Sequence, residues 1–155
     1  MAVVSAVGAD EQVVGLELGG ETYGVEISRI QEIIRMQPIT RVPNGPAFVE
    51  GVTNLRGRVI PVLDLRQRFG LVATEPTRRS RIVVAELGPH TVGLVVDAVT
   101  EVLRILADAV EPPSALVTTA DSTCLRGVAK MDDRLILLLD LSRLLGEDET
   151  VGLAA

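Results

Sequence analysis

Few residues of this sequence could carry catalytic chemistry. Its 155 residues include one histidine, His90, and one cysteine, Cys124. His90 falls in a predicted hairpin turn, which is typical of an exposed structural residue, and the sequence places no base beside Cys124 that would activate a thiol nucleophile. One histidine and one cysteine cannot supply a metal site, and the adjacent Asp132 and Asp133 are typical of a solvated turn. The sequence therefore predicts no catalytic residue, no metal site and no cofactor.

The charged residues Glu32 and Arg56 remain as candidates for function. Arg56 precedes Gly57 in a predicted tight turn, and Glu32 lies near the end of a predicted helical turn. One interpretation is a structural ion pair, which at an exposed position mainly fixes geometry. The other is a protein-binding surface in which aliphatic residues such as Ile30 form the apolar centre of the contact.

An internal repeat organises the elements that position these residues. Residues 16–35 align without a gap on residues 85–104, and seven of the 20 aligned positions are identical. In each copy a β-branched run, a glycine turn and a second apolar run predict a β-hairpin. Ser28 followed by Gln31 predicts a capping box at a helical turn after the first hairpin. Asp97 takes the capping position after the second.

The repeat extends into the later part of each half. Residues 58–70 align on residues 134–146, and the triplet LRG occurs at 55–57 and again at 125–127. The two registers differ by six residues, which predicts six extra residues in the second LRG turn.

The candidate ion pair is part of this repeat. In the registers given above, Glu101 and Arg126 are the counterparts of Glu32 and Arg56. Recurrence favours the structural interpretation, in which each half uses the pair as a tie. Arg58, which follows the turn, is interpreted as a solvated residue.

Short helices are predicted to close both halves. Asp64 and Asp140 stand where an N-cap would satisfy free N–H groups, and Gly70 and Gly146 stand where a left-handed residue would end a helix of about five residues. Because Pro61 cannot donate a ladder hydrogen bond, its strand is expected at a sheet edge or a bulge.

Composition excludes several classes of function. The net charge of −6 opposes nucleic-acid binding, which needs clustered lysine and arginine. No apolar run approaches the ~20 residues of a membrane-spanning helix, and the N-terminus lacks the pattern of a secretion signal. A single cysteine suits a reducing cytoplasm.

These patterns predict an all-β fold with short helices, in which two similar five-stranded β-barrel subdomains pack on each other. Halves of this size rarely bury enough surface alone, which is why we expect contact between them. The expected organisation is a tail over residues 1–12, one domain over 13–146 with repeat halves at about 13–70 and 81–146, and a tail over 147–155.

With these residues in view, the chain resembles the family of CheW-type chemotaxis adaptors. The resemblance rests on the ordered segments LGGETYGVEISRIQEI, ITRVPNGPAFVEGVTNLRGRVIPVLDLRQRFG and VGLVVDAVTEVL, and it runs from about Val13 to Gly146. The sequence contains no kinase, phosphorylatable histidine or receiver domain, so a stand-alone adaptor is the expected form.

The resemblance implies two packed five-stranded barrels, no catalysis and a place in the cytoplasm, at membrane receptor arrays. It implies that the protein joins the cytoplasmic tips of chemoreceptors to the regulatory domain of the kinase CheA. By motif, five residues match positions linked to receptor or kinase coupling: Ile30, Glu32, Gly51, Arg56 and Gly57. The alternative is a small-barrel ligand-binding domain or enzyme that shares the fold, with a pocket of convergent polar groups.

Overall fold

The computed structural model describes residues 10–43, 49–72, 75–112 and 124–144. These residues form two β-sheets with short helical segments, which confirms the predicted all-β class. The strands are β1 Glu11–Leu18, β2 Glu21–Glu26, β3 Ile30–Arg35, β4 Val49–Leu55, β5 Arg58–Asp64, β6 Arg81–Leu87, β7 His90–Val96, β8 Ala98–Ile105, β9 Val110–Glu111, β10 Leu125–Met131 and β11 Arg134–Leu139. The helix α1 spans Leu65–Arg68, and 3-10 turns span Ile27–Arg29, Ala107–Ala109 and Leu141–Arg143.

The two sheets share one plan with an exchange of hairpins. The strand order is β3-β6-β7-β5-β4 in one sheet and β8-β1-β2-β11-β10-β9 in the other. The hairpin β1–β2 therefore lies among strands of the second half, while β6–β7 lies among strands of the first. Parallel pairing of β5 with β7, and of β11 with β2, joins each hairpin to its host sheet. Each sheet thus contains strands from both copies of the repeat that the sequence predicted.

The sixth strand of the larger sheet is β9, and its counterpart beside the five-stranded sheet is a single β-bridge. The two-residue strand β9 pairs with β10, whereas β4 is joined by a single bridge between Thr40 and Val52. The two backbone hydrogen bonds between Thr40 and Val52 are 2.7 and 2.8 Å long. Gln37 Nε2 adds bonds of 2.8 Å to Thr53 Oγ1 and to the Asn54 carbonyl. The segment after β3 is thereby held against β4, but a single bridge does not close a ladder. The described residues therefore form open sheets of five and six strands rather than the two closed five-stranded barrels that were predicted.

The core is continuous between the sheets, as expected for packed subdomains. Its largest cluster includes Val25 and Leu139 from the six-stranded sheet and Leu63 and Leu94 from the five-stranded sheet. Tyr23 of β2 stacks on Phe69, which follows α1, with ring centroids 5.4 Å apart. Burying each sheet therefore depends on the other one.

The glycines that the repeat conserves at Gly24 and Gly93 have a steric reason. They lie opposite Leu138 and Val62 in the two parallel strand pairs. A Cβ atom at Gly93 would come within 2.8 Å of the Ile82 side chain, and one at Gly24 would meet three side chains at 3.0 to 3.2 Å. A side chain at either position would require its neighbours to shift where each hairpin enters its host sheet, more so at Gly93 than at Gly24.

The predicted closing helices form with the predicted caps. Asp64 Oδ1 accepts a hydrogen bond of 2.9 Å from the Arg66 N–H, and Asp140 Oδ1 accepts one of 3.1 Å from the Ser142 N–H. Gly70 ends α1 with φ of +72°, while Gly146 lies outside the described residues. The second segment is a 3-10 turn of three residues and α1 has four, so both are shorter than predicted.

The predicted capping box and the Asp97 cap do not form. Glu26 precedes the Ile27–Arg29 turn without a side-chain cap, and Gln31 Nε2 instead donates to Glu86 Oε2 at 3.0 Å. Asp97 accepts a hydrogen bond from a backbone N–H of the β1–β2 turn and pairs with the guanidinium of Arg66. Ser28 lies inside its turn rather than at the cap position, and β8 begins directly after Asp97, so neither residue stands before a helical turn.

Pro61 does not lie at a sheet edge or a bulge, since β5 is an interior strand between β7 and β4. Pairing with β7 begins one residue later, at Val62. The missing N–H of Pro61 therefore falls outside the parallel ladder, which explains how an interior strand tolerates proline.

The second LRG triplet is not the counterpart of the first. Strands β4 and β10 occupy equivalent places, and each passes through a two-residue turn into β5 or β11. The turn residues Arg56 and Asp132 share a left-handed conformation, with φ of 52° and 54°. Arg126 is consequently equivalent to Glu50. The register shifts from 69 residues at Arg35 and Arg104 to 76 at Arg58 and Arg134, so the second half has seven extra residues, and they precede β10 rather than lying in its turn.

Strand β1 begins at Glu11, and residues 147–155 lie outside the described residues. Within the part of the chain that the structure describes, no helix is long and apolar enough to cross a membrane.

Candidate functional site

Glu32 and Arg56 form a bidentate ion pair at the seam of the five-stranded sheet. Arg56 Nη2 donates to Glu32 Oε1 at 2.7 Å, and Arg56 Nη1 donates to Glu32 Oε2. Glu32 lies on the edge strand β3, and Arg56 lies in the turn that leaves the opposite edge strand, β4. The pair therefore bridges the two edges that the backbone ladder leaves apart.

This ion pair is accessible to solvent on its arginine side. The side chain of Arg56 is 73% exposed and that of Glu32 is 25% exposed. The hydrogen bond from Arg56 lowers the pKa of Glu32; burial opposes this shift, and the charge of Arg56 adds a smaller lowering of its own. The same contact raises the pKa of Arg56. Both groups remain charged at neutral pH, and an exposed pair of this kind fixes geometry more than it stabilises the fold.

The turn that carries Arg56 is tightly specified. Gly57 has φ of +86° and Arg56 also has a positive φ, as in the two-residue turns that suit twisted hairpins. Asn54 Oδ1 accepts a hydrogen bond of 2.8 Å from the Gly57 N–H. A Cβ atom at Gly57 would meet no atom within 4 Å. Gly57 is needed for its backbone conformation and leaves the turn open to a partner.

Gly51 supports the site from inside. It lies in the bulge of β4, and a Cβ atom there would be 2.1 Å from the Thr40 carbonyl oxygen. Its counterpart Gly127 lies in the equivalent bulge of β10, where a Cβ atom would be 2.8 Å from a Val110 methyl group. Gly51 is buried, so it does not contact a partner itself. It allows the segment that contains Thr40 to approach β4, and it affects the surface in that way.

Ile30, which the sequence suggested as part of the apolar centre of a contact, is only partly accessible. It is half-buried, packs against the main core and faces Ala85 of β6. Exposed apolar side chains on the strands that flank the pair are Ile33, at 39%, and Val59, at 68%; because neighbouring side chains alternate along a strand, Ile33 lies on the face of β3 opposite to that of Glu32. Ile33 follows Glu32 on β3, and Val59 lies on the hairpin of Arg56. Sequence reasoning missed both, although Val59 stands beside the turn on which it focused.

The ion pair does not recur between Glu101 and Arg126. Arg126 Nη1 lies 2.9 Å from Glu11 Oε1, and Glu101 Oε2 lies 3.7 Å from Arg134 Nη1. The prediction failed because the LRG register was wrong: Arg126 lies inside β10, away from its turn. The looser contact of Glu101 still joins the edge strand β8 to the hairpin β10–β11, as the first-half pair does in its sheet.

A mixed polar cavity of about 510 Å³ is the place where the alternative function, small-ligand binding, would be located. Its walls include Met36 and Ile39 as well as Glu50. Burial, and then the neighbouring Asp64 carboxylate, raise the pKa of Glu50, while Arg41 opposes this shift. Charged side chains of both signs line the cavity.

Comparison with known proteins identifies the family. The model of the CheW-like domain matches residues 12–149. The chain belongs to the CheW-like family. The chemotaxis protein CheW of Klebsiella aerogenes is 36% identical over 132 residues, which are 85% of this chain and 80% of that protein. A probable chemotaxis protein CheW of Rhizobium etli is 34% identical over 149 residues, 96% of each chain.

A solved CheW structure has the same fold. The scaffolding protein TtCheW from Thermoanaerobacter tengcongensis is 38% identical and superimposes with a TM-score of 0.84, covering 91% of this chain and 96% of that one. The likeness agrees with the two packed subdomains described above. Together, the relatives and the fold confirm that this CheW-like chain is a chemotaxis scaffold and not an enzyme.

The residues first considered for catalysis have ordinary places in this CheW-like fold. His90 opens β7 and is half-buried, and Cys124 is buried with its thiol 3.4 Å from the Arg143 carbonyl oxygen. Asp132 and Asp133 form the β10–β11 turn. No cluster of three or more potential metal ligands occurs within the described residues.

Proposed function

We propose that this chain couples chemoreceptors to the histidine kinase CheA. In this role it joins the cytoplasmic tips of the receptors to the regulatory domain of CheA and is recruited from the cytoplasm to membrane receptor arrays. The family supports the general role, and the observation that carries the finer proposal is the exposed Glu32–Arg56 pair at the seam of the five-stranded sheet.

The seam suits a protein contact because it combines charge with apolar surface. Arg56 presents a guanidinium that Glu32 holds in one orientation, which lowers the entropy lost when a partner binds. Ile33 and Val59 expose apolar side chains on β3 and β5, the strands next to the pair and its turn. An apolar centre with a polar rim is the usual composition of a reversible interface.

The five residues expected from the resemblance divide into two groups in this proposal. Glu32, Arg56 and Gly57 form the contact surface, because they lie on the exposed turn and its ion pair. Gly51 and Ile30 act from beneath it, since Gly51 admits the Thr40 segment and Ile30 anchors β3 to the core.

Reconstitution of receptor, CheA and this chain tests the proposal. We expect the chain to co-sediment with receptor-containing membranes, to bind CheA, and to place phosphorylation of CheA under receptor control. A mixture without the chain is the control. Unchanged kinase activity, together with no binding to either partner, would refute the proposed coupling.

A further inference from the structure

A second cleft, at the junction of β3 with β6, is lined by arginines. It has a volume of about 430 Å³, and its walls are Arg35, Met36, Thr77, Arg78, Ser80 and Arg81. We call it the arginine cleft. No carboxylate is among these lining residues, although the chain as a whole carries a net charge of −6. Three arginines therefore line one cleft of a protein whose overall charge is negative.

The arrangement of these arginines is unfavourable in the absence of an anion. Arg35 and Arg81 are direct cross-strand partners in the antiparallel pair of β3 and β6, where like charges destabilise a sheet. Arg81 Nη1 donates to the carbonyls of Arg78 and Ser80 at 2.7 and 2.8 Å, which orients its guanidinium. Among the residues that the structure describes, neither Arg35 nor Arg78 pairs with a carboxylate.

The six-stranded sheet shows that the fold does not require this charge. The cross-strand pair equivalent to Arg35 and Arg81 is Arg104 and Gln12. There, Arg104 Nε donates to Asp10 Oδ2 at 2.9 Å, so that its charge is neutralised. In the five-stranded sheet, Arg81 stands where the other sheet has Gln12, and the described residues include no aspartate that neutralises Arg35. The excess charge is thus particular to the arginine cleft.

We propose that the arginine cleft binds a compact, multiply charged phosphate compound of the diphosphate class. Guanidinium forks match phosphate oxygens with paired, charge-assisted hydrogen bonds. A bound diphosphate would also relieve the repulsion between Arg35 and Arg81. The volume lies within the usual range of small-ligand sites. Because no aromatic side chain lines the cleft, the phosphate groups themselves are the recognised feature.

Isothermal titration of the full chain with inorganic pyrophosphate tests the proposal. We expect saturable binding of one equivalent that is at least tenfold tighter than the binding of orthophosphate. The double variant Arg35→Gln/Arg81→Gln should weaken binding at least tenfold. Arg58→Gln, at an exposed arginine outside the cleft, should change it less than twofold. ADP should bind within a few-fold of pyrophosphate, and adenosine should not compete.

Melting temperatures separate loss of binding from loss of folding. Arg35→Gln removes the like-charge contact, so without anion it should melt above the wild-type chain, and pyrophosphate should no longer raise its melting temperature. Absence of saturable binding by the wild type, or an equal loss in Arg58→Gln, would overturn the proposal. Loss of partner-protein capture by the double variant, with no pyrophosphate binding by the wild type, would overturn it in favour of an acidic protein surface.

Discussion

Arg56 occupies a backbone conformation that its side chain does not favour. Its φ of 52° lies in the left-handed region, where asparagine and aspartate are tolerated better than arginine. The equivalent turn in the second half uses Asp132 there. The first half thus accepts a less suitable residue, which indicates that the guanidinium itself is needed beside Glu32.

Reversing one charge of the pair should impair binding more than folding. Glu32→Arg places two guanidinium groups together at an exposed seam, so we expect at least a tenfold loss of receptor or CheA binding with a small fall in melting temperature. Adding Arg56→Glu restores opposite charges and should recover much of the loss. Binding assays on the single and double variants measure this, with Arg58→Glu as the control. Failure of the double variant to recover would mean that each residue contacts a partner separately.

The protonation of Glu32 reports directly on the pair. Arg56 lowers the pKa of Glu32 in the folded state, so the pair stabilises the fold above the unfolded-state pKa, and this contribution is lost as the pH falls through the folded-state pKa. Arg56→Gln should raise the pKa of Glu32 towards its ordinary value. A carboxyl NMR titration measures this, and Arg58→Gln should leave it unchanged. An unaltered Glu32 pKa in Arg56→Gln would mean that the pair is not formed in solution.

At the scale of elements, the seam depends on close backbone approach. The segment after β3 reaches β4 only because Gly51 has no side chain, and two backbone hydrogen bonds join Thr40 to Val52 there. The ion pair and the Gln37 hydrogen bonds then bridge the same two edges. Substitutions at Gly51 are therefore expected to affect Glu32 and Arg56 through the backbone, without direct contact with either side chain.

Gly51→Ala should destabilise the protein by about 3 kcal/mol, because a methyl group 2.1 Å from a carbonyl oxygen forces a backbone shift. Gly57→Ala is the matched control: its methyl group enters open space, and only the left-handed conformation costs about 1 kcal/mol. Urea unfolding measures both. A Gly51→Ala variant as stable as Gly57→Ala would show that the Thr40 segment does not lie against β4.

Features set by neighbouring residues could be predicted from the sequence, and those set by distant contacts could not. The caps at Asp64 and Asp140 depend on N–H groups two residues away, and they form as expected. The cap at Asp97 fails because the chain continues directly into β8 at Ala98 instead of a helical turn, and the carboxylate pairs with Arg66, distant in sequence. The second LRG triplet was aligned wrongly because a match of three residues constrains an alignment less than the pairing of two whole strands does. The exposure of Val59 likewise depends on the packing of both sheets.

At the scale of the whole molecule, the exchanged hairpins make each sheet depend on both halves. Without the second half, β3 loses its partner β6, β5 loses β7, and the hairpin β1–β2 loses β8 and β11. An isolated two-stranded hairpin is at best marginally stable in water. The shared core adds to this dependence, since its largest cluster contains residues of both halves.

A chain divided between residues 74 and 75 should therefore fold only when both fragments are present. We expect fragments 1–74 and 75–155 to lack cooperative thermal transitions separately, because each would expose strands that pair across the division. Mixed during refolding, they should form a 1:1 complex with a cooperative transition and the circular dichroism of the intact protein. The uncut chain, refolded in parallel, is the control. A cooperative transition in fragment 1–74 alone would mean that β3, β4 and β5 can form a sheet without the β6–β7 hairpin, and that the exchange is dispensable for folding.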